Sequence, residues 1–262
     1  MKRDEVDAVI QRSGFRLEGF AERYDAARPR PPEALLDLLC RLAAIGRPRL
    51  VVDLGSGTGL STNIWSGRSS EAVGVEPNPD MRAQAVPLPG VRFVDGLSSD
   101  TGLPDECADI VTVSQALHWM EPEPTFAEVA RILRPGGVFA AYDNDWPPTV
   151  HPDIDAAFDA VLDRVDEHRE SRRAWKTTHL ERMEASGRFR YLRETLVHSI
   201  EYGNADRIVG LVESLGVVAR PLADGKTEEE LGIADLRAAA KRVLARRDAP
   251  LLFSYRVRLG FV

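Results

Sequence analysis

The sequence predicts an α/β protein built on a seven-stranded, mostly parallel sheet with an antiparallel edge strand and helices on both faces. Short apolar runs alternate with helical patterns between residues 47 and 142, and this alternation is typical of a parallel sheet with right-handed crossovers. Residues 253–261 place apolar side chains at every second position, the pattern of an antiparallel strand at the sheet edge. A chain of 262 residues can form one such domain, and we assign all of it, residues 1–262, to that domain.

Residues 1–46 are predicted to form a helical arm that covers the central domain. A helical pattern over residues 4–27 is followed by Pro29, Pro31 and Pro32, and proline suits the first turn of a new helix. That second helix is expected to continue to about residue 45, because its leucines repeat at helical spacing.

Residues 47–142 are predicted to be the core of the fold. We expect strands at 50–54, 71–75, 91–94, 109–114 and 138–142, each an apolar run short enough for a buried parallel strand. The first crossover is expected to be a helix that starts over residues 59–66, and a later helix is expected near residues 126–133.

The regular alternation of strand and helix patterns ends after residue 142. Residues 143–190 are predicted to be a helical insert over the sheet edge, with helices over 153–170 and about 174–186. Residues 191–262 are predicted to complete the sheet, with a strand at 192–202, helices near 208–215 and 228–246, and the final strand.

Composition excludes several classes of protein. The chain has 34 basic and 41 acidic residues and a net charge of −7, which disfavours a nucleic-acid partner. No apolar run is long enough for a membrane span, and no secretory signal is expected. The two cysteines, Cys40 and Cys107, indicate a reducing compartment, the cytoplasm. Without a Cys/His cluster, we expect no metal site.

Arginine far outnumbers lysine, which we interpret as codon bias in a bacterial genome. The sequence leaves the oligomeric state open.

The motif Val-Val-Asp-Leu-Gly-Ser-Gly-Thr-Gly at residues 51–59 is the most informative part of the chain. It predicts a strand, a tight turn with exposed backbone N–H groups, and the start of a helix. A dinucleotide fingerprint would need its third glycine at position 60, where Leu60 stands, so a nicotinamide oxidoreductase is disfavoured. Glu76 ends the second strand, where an acid can accept hydrogen bonds from both ribose hydroxyls.

Five ordered segments make the chain resemble class I S-adenosylmethionine-dependent methyltransferases. They are residues 51–59, 74–81, 93–104, 109–119 and 131–138. Within that family, the chain is similar to the small-molecule branch that includes trans-aconitate methyltransferase. The resemblance implies a Rossmann-like fold, S-adenosyl-L-methionine as cofactor and a small-molecule acceptor.

The resemblance also implies roles for particular residues. The glycine loop is expected to line the methionine part of the cofactor, the acid after the second strand its ribose, and the loop after the third strand its adenine, with Asp100 as a candidate partner of the adenine amino group. The helical arm is expected to reach the cofactor's carboxylate. The implied cofactor-binding residues are Tyr24, Arg28, Asp53, Gly55, Ser56, Gly57, Glu76, Asn78, Met81, Gly96, Ser98, Ser99 and Ser114.

Fewer residues indicate where the methyl acceptor binds, under the expected cover of the insert at 143–190. His118 follows the fourth strand, so it is either a proton acceptor or a residue that packs against its neighbours. Trp119 is either a pocket wall or core. Trp175, His179 and Met183 share one predicted helix face, which either lines the acceptor site or is core, and Trp146 is a further candidate for substrate binding.

The predicted function is methyl transfer to an oxygen, sulfur, nitrogen or carbon nucleophile in bacterial specialised metabolism. Two alternatives stay open. One is a cofactor-binding regulatory or scaffold protein without turnover. The other is a methyltransferase that acts on protein or nucleic acid.

Overall fold

The computed structural model describes residues 3, 17, 19–166, 178–245 and 247–262. One sheet contains β1 (Leu50–Leu54), β2 (Glu71–Val75), β3 (Val91–Val94), β4 (Ala108–Ser114), β5 (Leu133–Asn144), β6 (Tyr191–Gly203) and β7 (Ala249–Phe261). The α-helices described are α1 (Phe20–Ala27), α2 (Glu33–Leu42), α3 (Pro79–Gln84), α4 (Pro122–Ile132), α5 (Pro152–Val165), α6 (His179–Ala185), α7 (Ala205–Glu213), α8 (Gly216–Ala223), α9 (Glu228–Leu231) and α10 (Ile233–Leu244).

The strand order β3-β2-β1-β4-β5-β7-β6 confirms the predicted fold class. Strands β1 to β5 are parallel to one another, whereas β7 is antiparallel to both β5 and β6. The final strand is antiparallel as predicted, but it lies second from the edge because β6 pairs with it along its whole length. The order reverses between β1 and β4, and in open α/β sheets ligands bind at such a point, outside the carboxyl ends of the strands.

Two apolar layers cover the sheet because successive strand residues point to opposite faces. One layer joins Val51, Ile110 and Tyr142 to residues of α2, α5, α7 and α10. The other joins Val52 and Val111 to residues of α4 and to Met183 of α6. Helices therefore lie on both faces, and the carboxyl end of the sheet is left as the place for a site.

The first crossover differs from its prediction. No α-helix covers residues 59–66; the segment contains turns and a short 3-10 helix, Asn63–Trp65. The hydroxyls of Ser61 and Thr62 donate to the Asp53 carboxylate at 2.5 and 2.7 Å. These tertiary hydrogen bonds hold residues 61 and 62 beside the end of β1, where the segment forms turns instead of a continuous helix.

The arm and the insert are only partly described. Residues 4–16, with most of the predicted first helix, and residues 167–177 lie outside the described residues; within the described chain α1 packs against α3 and α7. The predicted helix over 153–170 is described as α5, which ends at Val165. The insert does not form one layer, because α5 packs on one face of the sheet and α6 on the other.

The C-terminal helices show two further differences. Gly232 has a φ of 79° and divides the predicted helix 228–246 into α9 and α10. Helix α8 was not predicted, because it starts at Gly216 and contains Pro221. Among the described residues, no helix has both the length and the apolar character needed to cross a bilayer.

Candidate functional site

A cavity opens where the strand order reverses, at the carboxyl ends of β1, β2, β3 and β4. Its wall comes from the ends of these strands and from the segments that follow them, including the first turn of α3, with further contributions from α1 and α4. The lining residues are Tyr24, Gly55, Gly57, Glu76, Pro77, Asn78, Met81, Leu97, Ser98, Ser99, Ser114, Gln115, Ala116, Trp119, Met120, Glu121 and Thr125.

Gly55 and Gly57 form the floor of the cavity with left-handed backbone, at φ values of 68° and 56°. A Cβ at Gly55 would lie 2.8 Å from Ala116 Cβ, and one at Gly57 would lie 3.4 Å from Met81 Cε. Glycine therefore allows both the turn and the close approach of backbone to the cavity. Ser56 lies between them but is buried and does not line the cavity.

The Glu76 carboxylate lies on the cavity wall and is held by backbone N–H groups. Gly57 N donates to Oε2 and Asn78 N donates to Oε1, both at 2.8 Å. Burial raises the pKa of this carboxyl, and the two backbone hydrogen bonds oppose that rise. Each oxygen receives one backbone donor and keeps further acceptor capacity, so the carboxylate can accept from two hydroxyl groups of a ligand.

Asn78 supplies a donor beside this carboxylate. Its Oδ1 accepts from Asp80 N at 3.0 Å and caps α3, whose first residue is Pro79, as expected for a helix start. Its Nδ2 is buried and has no hydrogen-bond partner among the described residues. Buried polar atoms are nearly always satisfied, so this donor indicates a polar ligand in the cavity.

Asp53 supports the glycine loop from below. Its carboxylate is buried and accepts from Ser61, Thr62 and Thr112 at 2.5–2.7 Å. Burial raises its pKa and the three hydroxyl donors oppose that effect. The side chain does not line the cavity, so the observed contacts are those of a residue that orders the loop.

Tyr24 of the arm lines the cavity, whereas the Arg28 side chain does not. Arg28 donates from Nε to Ser214 Oγ at 2.9 Å and from Nη2 to Ser214 O at 3.2 Å. Its guanidinium lies 4.7 Å from the Tyr24 ring centre and 5.0 Å from that of Trp146. Burial lowers the pKa of Arg28, and the residue is not part of the cavity lining.

The loop after β3 forms the opposite wall. Leu97 and Asp100 exchange backbone hydrogen bonds, and this tight turn presents Ser98 and Ser99 to the cavity. Asp100 itself is exposed and does not line the cavity, and Gly96 lies behind the wall, where a Cβ would meet Val75 at 2.8 Å.

A clamp from α4 holds this loop. Glu128 Oε1 accepts from both N and Oγ1 of Thr101, at 2.8 and 2.6 Å, and the same carboxylate pairs with Arg131. Burial opposes ionisation of Glu128, but the donors from Arg131 and Thr101 outweigh it and lower the pKa to about 2. The loop that carries Ser98 and Ser99 is therefore fixed to α4 by the hydrogen bonds between Thr101 and the Glu128 carboxylate.

Several lining residues were not singled out by the sequence analysis. Beyond Ser114, the chain turns at Gln115, whose φ of 57° is unusual for a residue with a side chain. Its N–H donates to Tyr142 O at 2.9 Å. Met120, Glu121 and Thr125 complete this side of the cavity, and no local pattern marks them.

The cavity is acidic. Glu76 and Glu121 line it, whereas the lining within the described chain includes no lysine, arginine or histidine. Such a wall favours a cationic or neutral ligand over one that carries a pyrophosphate, because ionised carboxylates repel phosphate charges.

The predicted acceptor residues do not come together in this cavity. Trp119 lines it, whereas Trp146 stacks on Phe158 and packs against Phe253. His179 is buried at the start of α6, and Trp175 lies outside the described residues. His118 is next to Trp119 in the 3-10 helix Leu117–Trp119, behind the cavity wall. No group of metal-ligating side chains occurs in the part of the chain that the structure describes.

Comparison with protein families gives one clear match. Residues 52–141, which contain the glycine loop, the Glu76 strand and the fourth strand, match the family profile for a methyltransferase domain.

Comparison with curated proteins gives relatives of the same kind. An uncharacterized methyltransferase of Mycobacterium tuberculosis is 39% identical over 115 residues, which cover 44% of this chain and 46% of the relative. A trans-aconitate 2-methyltransferase of Acidovorax ebreus is 35% identical over 123 residues, which cover 45% of this chain and 46% of that protein. The chain thus spans about half the length of the curated relatives it matches.

Solved structures share the fold over most of the chain. A candidate type II methyltransferase from Anaeromyxobacter dehalogenans matches with a TM-score of 0.66 at 24% identity, covering 89% of this chain and 97% of that one. A candidate methyltransferase from an antibiotic biosynthesis pathway of Anabaena variabilis matches with a TM-score of 0.60 at 16% identity, covering 88% and 98%.

Proposed function

We propose that this chain, whose residues 52–141 match the family profile for a methyltransferase domain, is an S-adenosylmethionine-dependent methyltransferase that acts on a small molecule. The single observation that carries the proposal is the Glu76 carboxylate, fixed by N–H groups of Gly57 and Asn78 at the point where the strand order reverses. A carboxylate in this place accepts from both hydroxyls of a ribose.

The residues of the cavity fit the cofactor in two further respects. The acidic wall suits a sulfonium cation, and the buried Nδ2 of Asn78 offers a donor to the nucleoside. When bound, the cofactor supplies an electrophilic methyl group and a thioether leaving group.

The residues of the chain bind the cofactor and orient it. Glu76 holds the ribose, the Ser98–Ser99 wall bounds the adenine, and the backbone of Gly55 and Gly57 lies along the methionine part. Orientation of two reactants in a closed site can contribute several kcal/mol to an in-line displacement. Trp119 and Met120 also line the cavity, Met120 beside Gly55, and they are the lining residues that would contact the acceptor.

A small-molecule acceptor is favoured by charge. The net charge of −7 and the acidic cavity disfavour nucleic acid, whose phosphates need basic partners. Both cysteines are free, which supports a protein of the reducing cytoplasm. The proposal includes an acceptor from bacterial specialised metabolism. A nicotinamide oxidoreductase would need a site for pyrophosphate, which this cavity wall does not offer.

The proposal is tested by calorimetric titration of the purified chain with S-adenosylmethionine and, separately, with NAD. We expect one site for S-adenosylmethionine and no heat from NAD. Tight binding of NAD alone would overturn the proposal.

A second experiment separates an enzyme from a binding protein. The chain is incubated with methyl-labelled S-adenosylmethionine and with small-molecule, protein and nucleic-acid fractions of a bacterial extract. Label in the small-molecule fraction supports the proposal. Label in either macromolecular fraction, or cofactor binding without any transfer, would favour one of the two alternatives.

A further inference from the structure

Strand β6 (Tyr191–Gly203) forms a long edge of the sheet. It pairs with β7 along its whole length, and no strand of the described chain pairs with its other side. Every second residue of such an edge strand directs its backbone N–H and C=O groups away from the sheet, where another strand can pair with them. The edge is about 40 Å long, because each of its 13 residues adds about 3.3 Å.

The features that usually block pairing at a sheet edge are missing from β6. The strand contains no proline and no lysine, and its pairing with β7 runs from residue 191 to residue 203 without a bulge. The opposite edge of the sheet, β3, is only 4 residues long. Strand β6 is therefore the edge of this sheet that is best able to accept another strand.

Apolar side chains are exposed along the same strand. Tyr191, Leu196, Ile200 and Tyr202 are 47–66% exposed, and they are half of the large apolar side chains that are exposed in the described residues. Leu196, Ile200 and Tyr202 lie on one face of β6, because residues two apart point to the same side of a strand. A neighbouring strand would cover part of this apolar surface through cross-strand contacts.

Arg193 is an exposed cation on this edge, and it has no ion pair or side-chain hydrogen bond within the part of the chain that the structure describes. Glu194, by contrast, is already paired with Arg256 and Arg258 of β7. Glu201 lies on the same face of β6 as Arg193, and its side chain is 21% exposed.

The Glu201 carboxylate can accept a further donor. Arg30 N donates to its Oε1 at 3.1 Å, and Arg207 pairs with its Oε2. A carboxylate has about four lone-pair sites, so both oxygens keep acceptor capacity. The strand thus carries an unpaired cation near one end and a partly exposed anion near the other.

This arrangement is self-complementary. Two antiparallel copies of β6, related by a twofold axis, overlap over their whole length when residue 191 of one lies opposite residue 203 of the other, with Val197 on the axis. That register places Arg193 opposite Glu201 of the copy, once on each side of the axis. It also places Leu192 opposite Tyr202 of the copy, and directly opposite residues of antiparallel strands are close enough to interact.

We propose that two copies of this chain associate through their β6 strands and join their sheets into one continuous sheet. A second copy supplies both the anion that Arg193 faces and the apolar side chains that cover Leu196, Ile200 and Tyr202. The contact is isologous, so it closes after two copies, whereas pairing of β6 with β3 would continue into a filament. None of the residues that line the cavity belongs to β6, so the proposal is independent of the proposed function.

Sedimentation equilibrium of the purified full chain tests the association. We expect the mass of two chains, and the mass of one chain at every concentration up to about 100 μM would overturn the proposal. R193E should raise the dissociation constant about 10-fold or more, because two attractive cross-strand pairs become repulsive. R92E is the matched control, since Arg92 is an exposed arginine on the opposite edge strand, and it should leave the dimer unchanged. A dimer that is equally stable in R193E would also overturn the proposal.

A cysteine at the axis tests the register. In V197C the two introduced thiols would lie opposite each other, within the Cα separation of about 4.4–6.8 Å that a disulfide needs, so mild oxidation should give a covalent dimer. S199C is the control, because residue 199 would lie opposite residue 195 of the copy and too far from its own counterpart. The parent, in which Cys40 and Cys107 are free, gives the background. No covalent dimer of V197C, or equal amounts from V197C and S199C, would overturn the proposed pairing.

Discussion

Gly57 N donates to Glu76 Oε2 at 2.8 Å, and this contact joins the glycine loop after β1 to the carboxyl end of β2. The loop and the carboxylate therefore form one rigid unit, although 19 positions separate them in the sequence. The same contact orients the carboxylate toward the cavity, where the proposed cofactor would place its ribose.

The first prediction concerns this carboxylate. Glu76→Gln should weaken S-adenosylmethionine binding by about 1.5–3 kcal/mol, or roughly 10- to 150-fold. An amide presents one acceptor and one donor, so it cannot accept from both Gly57 N and Asn78 N and still hold two hydroxyls. Calorimetry measures the change.

Glu71→Gln is the control for this variant. Glu71 lies at the other end of β2 and pairs with Arg92 at the surface, so its loss should leave affinity unchanged. Equal affinity in the parent and in Glu76→Gln would show that the ribose does not bind here.

The second prediction concerns the floor of the cavity. Gly57→Val should abolish cofactor binding, because a β-branched side chain would fill the space between the loop and Met81. Left-handed backbone should also cost about 1–2 kcal/mol of stability. Gly67→Val shares that cost, since Gly67 has a φ of 74°, but its Cβ would meet nothing within 4 Å. It should therefore melt lower and still bind, and a loss of binding in both variants would point to strain rather than to a blocked site.

The third prediction assigns Arg28. The guanidinium donates to Ser214 outside the cavity lining, so its expected role at the carboxylate of the cofactor requires it to leave Ser214 on binding. In that role, Arg28→Met should weaken binding of S-adenosylhomocysteine roughly 10-fold or more. It should leave methylthioadenosine, which lacks the amino-acid part, unaffected. Arg30→Met is the control, because the hydrogen bonds of Arg30 with Glu201 and Tyr255 are made by its backbone N and O atoms. A parallel loss for both ligands would show that Arg28 acts on the structure of the arm instead.

The fourth prediction is a dependence of stability on pH. The folded pKa of Glu128, about 2, lies below its ordinary value of 4.5. Its contribution to stability is therefore complete above pH 4.5 and is lost as the pH falls toward 2. Denaturant unfolding should show Glu128→Gln less stable than the parent by about 1.5–3 kcal/mol at pH 7, and the difference should vanish near pH 2.

The exposed Glu123, which pairs with Arg188, provides the control on the same helix. Glu123→Gln should change stability by less than about 1 kcal/mol at either pH. A constant difference between parent and Glu128→Gln across this range would refute the assigned pKa.

The core of the fold could be predicted because its strands are short apolar runs, of which β1, β2 and β4 are buried on both faces. Strands β1, β2 and β3 begin and end at the predicted residues, since apolar runs bounded by glycine or charge are local signals. The position of β7 in the sheet could not be predicted in this way. Alternation of apolar and polar residues shows which face of a strand is buried, but it does not show which strands lie beside it. The first crossover failed as a helix because Ser61 and Thr62 bond to Asp53, a contact that depends on tertiary structure.

The residues of the candidate site were also predictable only in part from the sequence. Gly55, Gly57, Glu76 and Asn78 follow strands directly, so their meeting at one edge of the sheet follows from topology. Gln115 and Thr125 carry no comparable signal, although the left-handed backbone at Gln115 marks it once coordinates are known.

A crystal structure with S-adenosylhomocysteine tests the central claim most directly. The account predicts the nucleoside in the cavity after β1, with both ribose hydroxyls on Glu76 and the Asn78 Nδ2 donor engaged. A ligand bound elsewhere on the chain, or a cavity filled by the protein's own side chains, would contradict it.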